Sequence, residues 1–248
     1  MISYIIPVAY DYKYSYGAIR SIYSTADEIL VGVDRDRLTW SKKPYEIDMD
    51  EFRSNIRKID TREIVRIIED DFHAEDHPMK NDTRERNILS AQCREGNWIV
   101  NLDSDERALN AMEFRDCLAR QDRGFDVAAE FITVFKILGQ KCLVTARPWE
   151  RCPVATTARS AFQKCRTTGR PLQLSNLKIF HFSWGRTREE LVQKVANWGH
   201  AHDFDTARFM QFWDSVDLSN YTTARNFHPL YGPLWPSLML LDLPNNLG

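Results

Sequence analysis

Between Tyr4 and Leu102, short apolar runs rich in β-branched residues alternate with segments of helical periodicity, and that alternation restricts the chain to the α/β class. Tyr4-Ile-Ile-Pro-Val-Ala9 has the length and composition of a buried strand. Ser15 to Ser24 carries Ile19, Ile22 and Tyr23 at helical spacing, and Glu28-Ile-Leu-Val-Gly-Val-Asp34 is a second strand ending in an acid. The pattern continues with a helix over Asp50 to Lys58, a strand over Glu63 to Glu69, a helix over Thr83 to Arg94 stopped by Gly96, and a strand over Trp98 to Leu102. Strands joined through helices pair in parallel, so a mostly parallel, Rossmann-like sheet with helices on both faces is expected. With 248 residues and 43% hydrophobic content the chain can bury one large core, which points to one domain with an elaborated C-terminal part.

The fourth strand runs straight into Asp103-Ser-Asp-Glu106. In open α/β sheets ligands bind outside the carboxyl ends of the strands, and these acids fall at one such end. The triplet reads two ways. It is a polar turn that closes a strand and caps the next element, or it is a pair of carboxylates, one residue apart, turned toward one hard divalent cation whose shell substrate oxygens complete. No Gly-rich phosphate loop follows the first strand, where Tyr10-Asp-Tyr-Lys-Tyr-Ser-Tyr16 stands instead, which disfavours a nucleotidyltransferase. A non-catalytic sugar- or nucleic-acid-binding module remains the other alternative.

These residues resemble the GT-A glycosyltransferases, and specifically members of glycosyltransferase family 2 of the bacterial and phage type. Ile5-Ile-Pro-Val-Ala-Tyr10 is similar to that family's first strand and nucleotide-contacting loop. Thr83-Arg-Glu-Arg-Asn87 followed by Gly96-Asn-Trp-Ile-Val-Asn-Leu-Asp-Ser-Asp-Glu106 is similar to its Arg-Asn helix and to the strand ending in Asp-x-Asp. The likeness covers roughly the first 110 residues. It implies a GT-A fold in which residues 1–110 form the nucleotide-sugar half and residues 111–248 the acceptor-side half of the same domain. It also implies transfer of a sugar from a nucleotide diphosphate, UDP-linked by preference, with Mn²⁺ or Mg²⁺. Pro7, Val8, Ala9, Tyr10, Asp34, Arg84, Asn87 and Asp103 would contact the donor, with Asp34 accepting from a uracil ring. Asp103 and Asp105 would hold the metal.

Lys178-Ile-Phe-His-Phe-Ser-Trp-Gly-Arg186 and the helix after it resemble a late strand and helix of some members, which carries the third metal-ligand role onto His181. That helix is legible by itself: Thr187 and Glu190 form a capping box, Leu191, Val192 and Val195 make an apolar stripe, and Gly199 ends it. The family's Glu-Asp pair is missing between Ala108 and Lys178, so Glu150 is the nearest candidate for a catalytic base, or else an arginine's partner.

From Gln140 to Lys178 eight Lys/Arg stand against one acid, Glu150, in a chain of formal net charge −2. Either this is a solvated basic face or Arg159, Lys164, Arg166 and Arg170 approach an anionic acceptor such as hydroxymethylated-base DNA or a phosphorylated glycan. A neutral glycan is the alternative acceptor. His200 and His202, two apart, lack zinc spacing and are read as lining the acceptor pocket, with Trp235 as a sugar platform. The five cysteines, odd in number and without Cys-x-x-Cys spacing, read as reduced thiols. With no signal-peptide pattern and no apolar run of about eighteen residues, a soluble cytoplasmic protein without a membrane span is expected.

Overall fold

The computed structural model describes residues 1–197 and 203–243. The first part alternates as its periodicity requires: β1 (Ile2–Val8), α1 (Ser15–Ile22), β2 (Glu28–Asp34), α2 (Met49–Ile59), β3 (Val65–Asp70), α3 (Pro78–Ala91) and β4 (Trp98–Asn101). Helix α3 starts a turn and a half before the expected Thr83. The His77 ring accepts from the Met79 amide at 3.1 Å, and Pro78 occupies the first turn, where no N–H is needed.

Strands β3, β2, β1 and β4 lie side by side, all parallel, with Ile5 paired to Leu30 on one side and to Asn101 on the other. Alternate residues serve two cores. Ile2, Tyr4, Ile6 and Val8 of β1 pack with Ala18, Ile19 and Ile22 of α1 and Phe52 and Ile56 of α2, while Ile5 packs with Leu30, Ile99 and Leu89 of α3 on the opposite face. Because successive side chains of a strand point to opposite faces, burial of both faces places helices on both.

The rest of the chain comprises β5 (Glu106–Ala108), α4 (Ala111–Arg120), β6 (Asp126–Leu138), β7 (Lys141–Thr145), β8 (Glu150–Thr156), β9 (Leu172–His181), α5 (Arg188–Asn197), α6 (Thr206–Ser215) and β10 (Leu238–Asp242). Here β6, β7 and β8 follow one another through short connections without intervening helices. Gly139, at φ 67°, turns β6 back into β7 through two residues. The sheet therefore continues antiparallel from β4 through β8, β6 and β7 to β10, and β9 runs parallel to β6 and antiparallel to β5. The result is a mixed α/β fold on a ten-stranded sheet whose parallel pairs are confined to β1–β4 and to β6 with β9. A third core, with Phe135, Trp184, Leu191, Phe209, Trp213 and Trp235, joins α5 and α6 to the sheet. No helix among the described residues is long and apolar enough to cross a membrane.

Candidate functional site

At the carboxyl ends of β1 and β4 the fold leaves a cavity of about 160 Å³. It is lined by Pro7 to Asp11, by Asp103 to Asp105, by Thr39 and Trp40 from the loop after β2, and by Glu85 of α3. His181 at the end of β9, Ser183 just after it, and Lys194 and Asn197 of α5 complete the lining.

The two aspartates that face this cavity are tied to buried cations. One Asp103 oxygen accepts from Arg86 at 2.8 Å and the other lies 2.7 Å from Arg166. Arg86, fully buried, also donates to Asp82 at 2.7 Å, and Arg166 to Glu106 at 2.6 Å. Asp105 divides its two oxygens between different neighbours. Oδ2 accepts from Arg186 at 2.5 Å and Lys194 at 3.1 Å, while Oδ1 faces His181 Nε2 at 3.6 Å. Arg186 donates to Asp11 as well, at 2.8 Å.

Burial alone would raise both aspartates, but Arg166 and Arg86 hold Asp103 below the usual carboxylate range, and Lys194 and Arg186 do the same for Asp105. One such pair at ~4 Å in an effective dielectric of ~20 is worth roughly 4 kcal/mol, enough to decide the matter. Burial lowers His181, against the pull of Asp105. Burial likewise lowers Lys194, and Asp105 opposes it.

Of the expected ligand set of Asp103, Asp105 and His181, Asp103 has each oxygen engaged by a guanidinium group, whereas Asp105 turns Oδ1 toward His181. No cluster of three or more His, Cys, Asp or Glu that could hold a metal exists among the described residues. Asp105 Oδ1 and His181 Nε2, 3.6 Å apart at the cavity wall, do fit two donors of one divalent cation whose remaining positions go to a ligand's oxygens.

Pro7, Val8, Ala9 and Tyr10 line the cavity as expected. Several other expected residues do not. Asp34 is buried behind it, its carboxylate filled by the amides of Asp36, Leu38 and Phe72 at 3.0–3.2 Å, so it folds its own loop instead of meeting a base. Arg84 faces away and donates to the Asp71 carbonyl, beside a separate open groove. Asn87 clamps the Phe162 backbone, donating to its carbonyl and accepting from its amide, both at 2.9 Å.

Glu150 accepts from the Trp235 indole and lies 3.8 Å from His228, outside the cavity wall, and burial raises its carboxyl. Trp235 is not a platform: it is buried in the third core against Phe227 and His228. Of the four basic residues assigned to an acceptor, Arg166 is interior, whereas Arg159, Lys164 and Arg170 are exposed. His200, His202 and the expected helix stop at Gly199 lie outside the described residues.

Of the cations that hold the acids, Arg166 is legible in the sequence only as an acceptor contact, and Arg86, Arg186 and Lys194 are not legible as partners at all. Arg86 stands between the two helix residues singled out, and a helical Arg four residues after Asp82 reads as a solvated pair. Lys194 had one signal, since it follows the buried Leu191 by three and so shares its face, whereas Val192 of the expected stripe is exposed.

No family model matches the chain, and no curated protein does. Among solved structures, 4-diphosphocytidyl-2C-methyl-D-erythritol synthase is similar at 11% identity and a TM-score of 0.44, over 77% of this chain and 96% of that one. Glucosyl-3-phosphoglycerate synthase from Mycobacterium tuberculosis, in complex with Mn²⁺, uridine-diphosphate-glucose and phosphoglyceric acid, is similar at 13% identity and a TM-score of 0.42, over 77% and 74%. HddC from Yersinia pseudotuberculosis is similar at 8% identity and a TM-score of 0.38, over 73% and 93%. Likenesses of this size assign no role to any residue here.

Proposed function

We propose that this chain transfers a sugar from a nucleotide diphosphate donor to a hydroxyl acceptor, with the donor in the cavity at the ends of β1 and β4. The observation that carries the reading is Asp105, a carboxylate at the end of a parallel strand that offers one oxygen and the neighbouring His181 to a cation while its other oxygen holds Lys194 at the same cavity. Thr39, Trp40 and the Pro7 to Tyr10 backbone then enclose the base, and the diphosphate lies toward His181 and Lys194. Uridine rests on the sequence resemblance alone, because Asp34 is turned away from the cavity.

Departure of the nucleotide builds negative charge on the β-phosphate, so the site must stabilise that charge and keep water from the anomeric carbon. A divalent cation on Asp105 and His181, Mn²⁺ or Mg²⁺, would supply Lewis-acid stabilisation there. Arg86 and Arg166 fix Asp103, and Glu106 accepts the Asp103 amide at 3.0 Å, so the strand end is rigid before a ligand arrives. Residues 1–110 provide the floor of the site and residues 111–248 its closing side. The exposed Arg159, Lys164 and Arg170 favour an anionic acceptor over a neutral glycan.

Incubation with a panel of nucleotide sugars, with and without Mn²⁺, tests the reading through release of the nucleoside diphosphate. We expect slow hydrolysis of one donor class and a raised melting temperature with its diphosphate. Absence of both across the panel overturns the proposal, and pyrophosphate release from a nucleoside triphosphate with a sugar phosphate would replace it with nucleotidyl transfer.

A further inference from the structure

Four cations contact the acids at the end of β4, and they are not equivalent. Arg86 and Arg166 lie behind the cavity, each bound to two carboxylates. Arg186 also bridges two, Asp11 and Asp105, and packs over the Tyr14 ring at 4.4 Å. Lys194 alone among them lines the cavity. It is 7% exposed, and among the described residues its ammonium has one hydrogen-bond partner, Asp105 at 3.1 Å. An ammonium carries three donors, so two remain without a partner among the described residues, on a side chain that is buried and lines the cavity. Leaving them unmet is costly in such a place. Ser104 and Ser183 line the same cavity.

We infer that Lys194 is a donor-binding residue that grips the diphosphate directly, giving the site a resident cation and making nucleotide diphosphate binding possible without a divalent metal. The inference rests on the proposed nucleotide-sugar reading and goes beyond it by dividing the work at Asp105. The Oδ1 side, with His181, serves a metal, and the Oδ2 side presents an ammonium of fixed position. Asp105 keeps Lys194 at the wall, and the ligand's phosphate oxygens take its remaining N–H groups. A point charge on a flexible stem can keep the carboxylate contact while adding the phosphate, which a guanidinium already bridging two acids cannot. Helix α5 is thereby part of the donor site. Its capping box, with Glu190 accepting the Thr187 amide at 2.8 Å and Thr187 accepting the Glu190 amide at 3.2 Å, fixes where Lys194 falls.

The test measures UDP and uridine affinity by calorimetry in EDTA and again in Mn²⁺, on the wild-type chain, Lys194→Met and Lys194→Arg. Wild-type protein is expected to bind UDP in EDTA. Lys194→Met should weaken that binding roughly 30-fold or more, the loss seen when one partner of a buried charged hydrogen bond is removed. Lys194→Arg should restore part of it, uridine affinity should not change, and melting curves without nucleotide separate a folding defect from a binding one. If wild-type protein binds UDP only in Mn²⁺, or if Lys194→Met binds UDP in EDTA as the wild type does, the inference is wrong while the nucleotide site stands. If no protein binds any nucleoside diphosphate in either condition, the proposed function itself fails. Should Lys194→Met not fold, Lys194→Gln takes its place: uridine bound as in wild type with UDP weakened in EDTA supports the inference, and UDP bound in EDTA as in wild type overturns it.

Discussion

Asp105 serves two buried cations with one oxygen, and its charge is what makes both tolerable in the interior. Asparagine in its place keeps the shape and loses the charge. Arg186 retains Asp11 at 2.8 Å, but Lys194 is left without a counter-ion. Breaking a buried pair from one side costs about 3–5 kcal/mol in the general case. Asp105→Asn is therefore expected to lower the unfolding free energy by about 3 kcal/mol as well as to reduce donor turnover by orders of magnitude. Urea melts and nucleoside diphosphate release measure the two effects. A variant as stable as wild type would mean that Lys194 is not charged, or leaves the interior, when Asp105 is neutral.

At the scale of elements, α3 and the segment from Ala158 to Arg170 act together. Helix α3 sits close on β2 because Gly32 has no side chain: a Cβ there would meet Leu89 at 2.8 Å and Glu85 at 2.9 Å. From the other side of the helix, Asn87 binds Phe162 through both backbone groups and Thr83 accepts the Cys165 amide at 2.8 Å. Those contacts carry Arg166 to Asp103 and Glu106. Asn87→Ala leaves two backbone groups of Phe162 without partners, at about 1–3 kcal/mol. We expect that loss in stability together with weaker nucleotide binding, because Arg166 loses its support. Loss of stability with unchanged nucleotide affinity would show that Arg166 is held by its ion pairs alone.

Over the whole molecule, charge is partitioned in a way its total of −2 conceals. The acids at the end of β4 are matched by interior arginines and a lysine, while Arg159, Lys164 and Arg170 remain at the surface. Replacing these three by Ala leaves the buried pairs intact and tests the acceptor by itself. With an anionic acceptor the Michaelis constant for it should rise, its salt dependence should become shallower through fewer released counterions, and donor hydrolysis should stay at the wild-type rate. An unchanged acceptor constant would identify the segment as a solvated face and favour a neutral glycan. Arg166 does not belong in that set, since removing it would strip Asp103 and Glu106 of a common partner.

The sequence by itself determined the order and type of the elements through Leu102, because strand and helix periods are set by neighbours two to four residues away. The span of β2 coincides with its apolar run, and Thr187 and Glu190 cap α5 reciprocally as their spacing dictates. It also placed Asp103 and Asp105 just past the end of a parallel strand, beside the Pro7 to Tyr10 loop. What it could not convey is which charges go inside. Arg186 and Lys194 reach Asp105 across 81 and 89 residues, and Arg166 reaches Glu106 across 60. Such pairs exist only once β9 and α5 have been laid against the ends of β1 and β4. The same tertiary placement decided that Trp235 is core, that Asp34 is consumed by the amides of its own loop, and that antiparallel hairpins extend the sheet beyond β4. A charged side chain reads as solvated until its partner is brought to it, because burial is favourable only for the pair and the partner's position is a property of the fold.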